Sequence, residues 1–205
     1  MSEKHLLNAK ALMKKYKIEF IDLKCIDLQG KLHHITLPVV NNILEKLIKE
    51  GVGFDGSSYG FRKVENSDMI LIPDLTTAVL DPFRDAPTLS FYANIYLTDK
   101  ARTPFSQDGR YLAKKAEALL LKTTGADKSM WGPEFEFYIF TNVKFDTRTS
   151  SAFYDIEHGE EFFHNAYHAA NPFDMYDDFR DEACKILHKL GVEVKYHHHE
   201  VGERG

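Results

Sequence analysis

"IEFIDLKCIDLQGKLHHITLP", residues 18–38, decides how the first half of the chain is built. Two apolar, partly β-branched runs flank Gln29-Gly30, so the stretch predicts two antiparallel strands joined by a tight turn. Upstream, Leu6, Leu12, Met13 and Tyr16 recur broadly at helical spacing and predict a helix over about 3–15. Downstream, "NNILEKLIKEG" sets Ile43, Leu44, Leu47 and Ile48 on one helical face, with Gly51 suited to the position just past the helix end. A glycine-rich stretch follows, then short strands near 69–72 and 76–80. "TLSFYANIYL", residues 88–97, alternates most cleanly, with Leu89, Phe91, Ala93, Ile95 and Leu97 on one face.

Hairpin, helix and further strands make an α+β pattern that resembles a small β-grasp module. The charged, Pro- and Gly-bearing segment "TDKARTPFSQDGR" predicts a domain boundary, giving domains at 1–103 and 104–205. Beyond it, the pattern predicts a helix over 109–122 closed by Gly125, a strand at 134–140, and a polar loop from about 141 to 173. A helix at about 175–190 follows, with Phe179, Ala183, Ile186, Leu187 and Leu190 on one side. Gly191 ends it, and "VEVKYHHHEV" reads as a final strand.

The 43% hydrophobic and 28% charged content is that of a soluble globular protein. A net charge of −5 speaks against binding nucleic acid by bulk electrostatics. No apolar run is long enough to span a bilayer, and the amino-terminal residues lack a signal peptide's apolar core. Cys25 and Cys184 form no CxxC pattern and read as reduced, buried thiols, which suits a cytoplasmic protein.

Three stretches could carry chemistry. In "WGPEFEFYIF" (131–140), strand alternation turns Glu134, Glu136 and Tyr138 one way and Phe135, Phe137 and Ile139 the other, into the core. Two carboxylates on one strand face lie roughly 7 Å apart, which suits two neighbouring hard cations, Mg²⁺ or Mn²⁺, around a polyphosphate. The same pattern is met by a half-exposed strand whose glutamates face water. In "KYHHHEVGERG" (195–205), parity groups Tyr196, His198 and Glu200 against Lys195, His197 and His199. Three histidines on a regular strand therefore cannot ligate one ion, and zinc-finger spacing is missing. Glu200 could instead face the same cavity as Glu134 and Glu136, with His198 beside it, or the strand end could be solvated. In "GVGFDGSSYGFRKVENSDMILIPD" (51–74), Asp-Gly followed by two serines reads as a turn able to present Asp55, and Asp68 could close the same site.

Taken together, these stretches resemble the glutamine synthetase family. "FDGSSYGFRKVENSDMIL" is similar to its amino-terminal signature, and "PDLTTAVLDPF" to the stretch that follows. "GPEFEFYIF" resembles its Gly-Pro-Glu-x-Glu-Phe strand and "YHHHEVG" its His-His-Glu strand, all four in the family's order. The resemblance is closest to the bacterial and archaeal type I branch. It implies an amino-terminal β-grasp domain followed by the first part of an α+β catalytic domain that continues past Gly205. It also implies ATP-dependent ligation of ammonia to glutamate through γ-glutamyl phosphate, with Mg²⁺ or Mn²⁺. In that scheme Glu134 matches a ligand of the metal at the ATP γ-phosphate, and Glu136 and Glu200 match ligands of the second metal. His198 matches a nucleotide-side contact. Asp55 matches the acid that attracts ammonium and takes its proton, supported by Ser58 and Asp68. The family builds its sites between neighbouring subunits of ring-shaped homo-oligomers, expected as a dodecamer.

The sequence also departs from the family pattern. Phe135 replaces a common proline, and Lys195 stands where many members place an acidic nucleotide contact. "GEEFFHNAYHAANPFD" matches only loosely the segment that contacts glutamate. The resemblance further implies that the 205 residues alone lack synthetase activity. Two other readings stay open: a relative that joins glutamate to a larger amine such as a polyamine, and a non-catalytic interaction module.

Overall fold

The computed structural model describes residues 3–157 and 166–202. Its contacts divide the chain into two compact units, Met1–Met130 and Trp131–Gly205.

Most of the first unit is the predicted α+β module. Helix α1 (Glu3–Tyr16) leads into β1 (Phe20–Ile26), which pairs antiparallel with β2 (Leu32–Pro38). Gly30 takes φ +84° in the turn, a conformation that suits glycine. Helix α2 (Ile43–Lys49) follows, then β3 (Val52–Asp55), β4 (Asp68–Pro73), the two-residue β5 (Val79–Leu80) and β6 (Thr88–Leu97). The sheet runs β2-β1-β6-β4-β3, with β5 also on β6. β6 lies parallel to β1 and antiparallel to β4, so this ten-residue strand ties both hairpins together.

The alternation in β6 has the predicted outcome. Leu89, Phe91, Ala93 and Ile95 are fully buried, Leu97 packs at the edge, and Tyr92 points to solvent. Ile21, Leu23 and Cys25 of β1 meet them, and α2 adds Ile43, Leu44 and Leu47. From α1, Leu6, Leu12 and Met13 pack against this core as expected, but Ala9 is its buried centre and Tyr16 is exposed. Ala9, a small residue, sits where the helix meets this core.

Two local expectations need correction. The glycine-rich stretch contains β3, and the strand expected at 76–80 is instead a 3₁₀ turn, Leu75–Thr77, followed by β5. Asp74 caps that turn by accepting from the Thr76 N–H and hydroxyl, which ends β4 before Thr76.

The first unit also holds helix α3 (Gly109–Thr124), closed by Gly125 at φ +71°. Asp108 caps it, its buried carboxylate accepting from Arg110 N at 3.0 Å and Ile95 N at 3.3 Å. Arg110 and Lys114 reach back to Asp74 at 2.7 and 3.0 Å.

The second unit contains β7 (Asn142–Arg148), β8 (Ser151–Glu157) and α4 (Asp177–Lys189). β7 and β8 form an antiparallel hairpin where a polar loop was expected. Its turn, Thr149-Ser150, lacks the usual Asn-Gly signal, and charged residues blur the alternation. Cross-strand pairs hold it: Phe145 lies opposite Tyr154, and Lys144 bonds Glu157 at 2.9 Å.

The strands expected at 134–140 and 192–201 do not form among the described residues. Alternation specifies which way side chains turn, whereas a strand also needs a ladder partner, and neither stretch has one here. Without a covering layer, Phe135 is 85% exposed and Phe137 50%, so the core expected behind the two glutamates is not built. Phe179 and Leu187 of α4 are likewise exposed, while Ala183, Ile186 and Leu190 are half-buried.

Candidate functional site

In the first unit, the chemistry gathers at the end of β3. Asp55 closes that strand opposite Asp68 of β4 in the antiparallel register. The chain then turns sharply: Gly56 N donates to Ser67 O at 2.8 Å and Phe61 N to Gly56 O at 2.9 Å. Ser57 donates to Asp55 Oδ1 through its backbone N at 2.9 Å and its hydroxyl at 2.7 Å, and the Ser58 hydroxyl donates to Oδ2 at 2.7 Å. These bonds, led by Ser57 and Ser58 and joined by Ser67, hold the exposed Asp55 carboxyl well below the usual carboxylate range. Asp68 is exposed beside it. Asp55, Ser58 and Asp68 are thus brought together on one rim of the sheet.

The loop is anchored by rings. Tyr59 stacks on His33 with centroids 4.2 Å apart, and Phe61 contacts Phe54 and Phe105 at 6.3 and 5.2 Å. Neither His33 nor Tyr59 stood out in the sequence. The aromatic spacing Phe54, Tyr59, Phe61 around the acidic turn was the available signal.

In the second unit, His198 and Glu200 lie on the same side, His198 Nδ1 being 3.6 Å from Glu200 Oε1. His197 turns the other way, its Nε2 at 3.0 Å from Asp181 Oδ1 of α4, while Arg180 Nε donates to His197 Nδ1 at 3.3 Å. Arg180 also forms a buried ion pair with Asp174. His199 is almost wholly buried and its backbone carbonyl accepts from His168 N at 3.0 Å. His168 meets the His198 ring edge-on at 4.4 Å and stacks on Tyr167 at 4.1 Å. The segment 159–174 thus supplies two rings around His198 that sequence reasoning did not single out; residues 159–165 lie outside the described residues.

Glu134 and Glu136 are exposed on the unpaired stretch before β7. Carboxylates are suitable donors for Mg²⁺ or Mn²⁺. Among the described residues, however, no three His, Cys, Asp or Glu side chains converge as a metal site, so Glu134, Glu136 and Glu200 are not gathered into one. Also among the described residues, no helix is long and apolar enough to cross a membrane.

A β-grasp-like sheet that presents an acid–serine turn, and a second unit in which His198 and Glu200 lie side by side, define an α+β protein of two compact units. Residues 17–98 match the family described as "Glutamine synthetase, beta-Grasp domain", and residues 106–204 match "Glutamine synthetase, catalytic domain". The chain belongs to the glutamine synthetase family. It is 35% identical over 212 residues to a glutamine synthetase of Methylococcus capsulatus, covering 95% of this chain and 45% of that protein. It is 34% identical to a 3-hydroxylaminophenol mutase of Cupriavidus pinatubonensis, with the same coverage. A solved glutamine synthetase of Plasmodium falciparum superposes with a TM-score of 0.79 at 19% identity, covering 98% of this chain and 42% of that one; this likeness shows the fold alone. The chain therefore spans about half the length of the relatives it matches.

Proposed function

We propose that this chain forms the β-grasp domain and the first part of the catalytic domain of a cytoplasmic glutamate–ammonia ligase, with the domain boundary at 103/104. The observation that carries this reading is the Asp55 turn, where three serines hold an exposed carboxylate in its ionised form. Such an anion attracts ammonium. A carboxylate held this firmly ionised takes a proton poorly, so the proton passes to it only as the nitrogen bonds to carbon. In the complete reaction the glutamate γ-carboxylate displaces ADP from ATP, and ammonia then displaces phosphate from the acyl phosphate. Mg²⁺ or Mn²⁺ would neutralise phosphoryl charge, with Glu134 as an oxygen donor to one ion, Glu136 and Glu200 as donors to a second, and His198 beside the nucleotide. Asp68 and Ser58 steady the Asp55 turn. In the complete enzyme a ring-shaped homo-oligomer, a dodecamer, sets this turn against a neighbouring subunit's catalytic domain.

A second reading is ligation of glutamate to a larger amine; a relative of similar identity is named for a different activity, a mutase, so identity at this level does not fix the reaction. Competition of ammonium against putrescine in the complete enzyme separates the two. The reading above expects glutamine with one phosphate released per turnover. A γ-glutamyl-polyamine product would overturn it.

A further inference from the structure

We infer that His33 is a positioning residue for the Asp55 turn, acting through the ring of Tyr59; its kinetic consequence rests on the reading of Asp55 given above. The structural chain starts at Asp27, where β1 ends. Asp27 Oδ1 accepts from the backbone N–H groups of Gln29 and Lys31 at 2.8 and 2.9 Å, and its Oδ2 bonds His33 Nε2 at 2.9 Å. Both carboxylate oxygens are therefore engaged, and the imidazole is locked to the hairpin turn rather than free to rotate.

The plane of that imidazole faces Tyr59, 4.2 Å away and tilted by only 19°. Tyr59 lies four residues beyond Asp55 in a run of tight backbone bonds, with Ser58 N on Asp55 O at 3.3 Å and Gly60 N on Ser57 O at 3.0 Å. A shift of Tyr59 therefore moves the serines that hold the acid. The far end of the turn is packed as well, with Phe61 buried against Phe54 and Phe105 and its N–H closing the turn on Gly56 O. Tyr59 itself is half-buried, its ring contacting His33, Phe54 at 5.1 Å and Phe61 at 5.8 Å. Of these partners the imidazole is the closest and most nearly parallel. The side chain of β2 thus sets the position of an acid on a different hairpin.

The test compares His33→Ala with His33→Phe, which keeps a stacking ring and loses the bond to Asp27. In the 205-residue chain, His33→Ala is expected to raise hydrogen exchange at the Gly56 and Phe61 amides about threefold to tenfold, the range an aromatic pair supports. Core amides such as that of Phe91 stay unchanged, and His33→Phe recovers most of the protection. In the complete enzyme, His33→Ala is expected to raise the ammonium KM several-fold while the glutamate KM stays level. Unchanged exchange at Gly56 and Phe61, or an equal rise across the core, would overturn the inference. Faster exchange at the turn with an unchanged ammonium KM would keep His33 as its positioning residue and overturn the reading of Asp55.

Discussion

Gly56 packs directly against Met69. A Cβ at position 56 would lie 2.3 Å from Met69 Sδ and 3.0 Å from the Ser67 carbonyl oxygen, and Met69 is fully buried. The acidic turn can leave β3 only because this position has no side chain. Gly56→Ala is therefore expected to destabilise the first unit by about 1–3 kcal/mol, the cost of overpacking a filled site. Urea unfolding checks this. Gly109→Ala, where a Cβ meets nothing within 4 Å, serves as the control and should cost little.

Asp108 serves two elements at once, capping α3 and accepting from the Ile95 N–H of β6. Asp108→Ala removes the cap and strands a buried donor, for an expected loss of about 2–4 kcal/mol in equilibrium unfolding. Asp108→Asn retains an acceptor and should lose less.

Asp74 gives a signed pH dependence. Burial raises its pKa, but bonds from Thr76 and Lys114 outweigh this and bring it down to about 2. Its folded pKa thus lies below the unfolded value of about 3.9. Between the two values the unfolded chain binds more protons, so stability rises with pH across that window. The contribution is fully present above about pH 4 and is lost as pH falls toward about 2. Lys114→Met should flatten this part of the stability–pH curve, measured by thermal unfolding.

Cys25 is buried, and burial followed by the nearby Asp108 and Asp27 charges pushes its thiol up to about 11. Cys184 is only half-buried. Alkylation at pH 8 is expected to label Cys184 first and Cys25 only on unfolding, as peptide mass analysis would report.

Where local pattern and tertiary setting agree, the sequence was readable. The alternation of Leu89, Phe91, Ala93 and Ile95 survives because β6 is covered on that face by residues from β1, α1 and α2. The turn at Asp55 was legible as a turn, and its acid and serines do meet. What escaped depends on partners distant in sequence. β3 carries a glycine and gains its strand character from β4, and the hairpin Asn142–Glu157 is held by cross-strand pairs that no single strand reveals. At 131–140 the opposite happened: a well-formed alternation found no ladder among the described residues. The Asp27–His33–Tyr59 link joins three segments whose residues are individually ordinary.

The most direct measurement is the ammonium dependence of Asp55→Asn in the complete enzyme. Asparagine keeps the size of the side chain and removes the charge that Ser57 and Ser58 hold in place. The account predicts a fall of about a hundredfold or more in kcat/KM for ammonium, with the glutamate KM changed little. An ammonium kcat/KM within about twofold of the parent would contradict it.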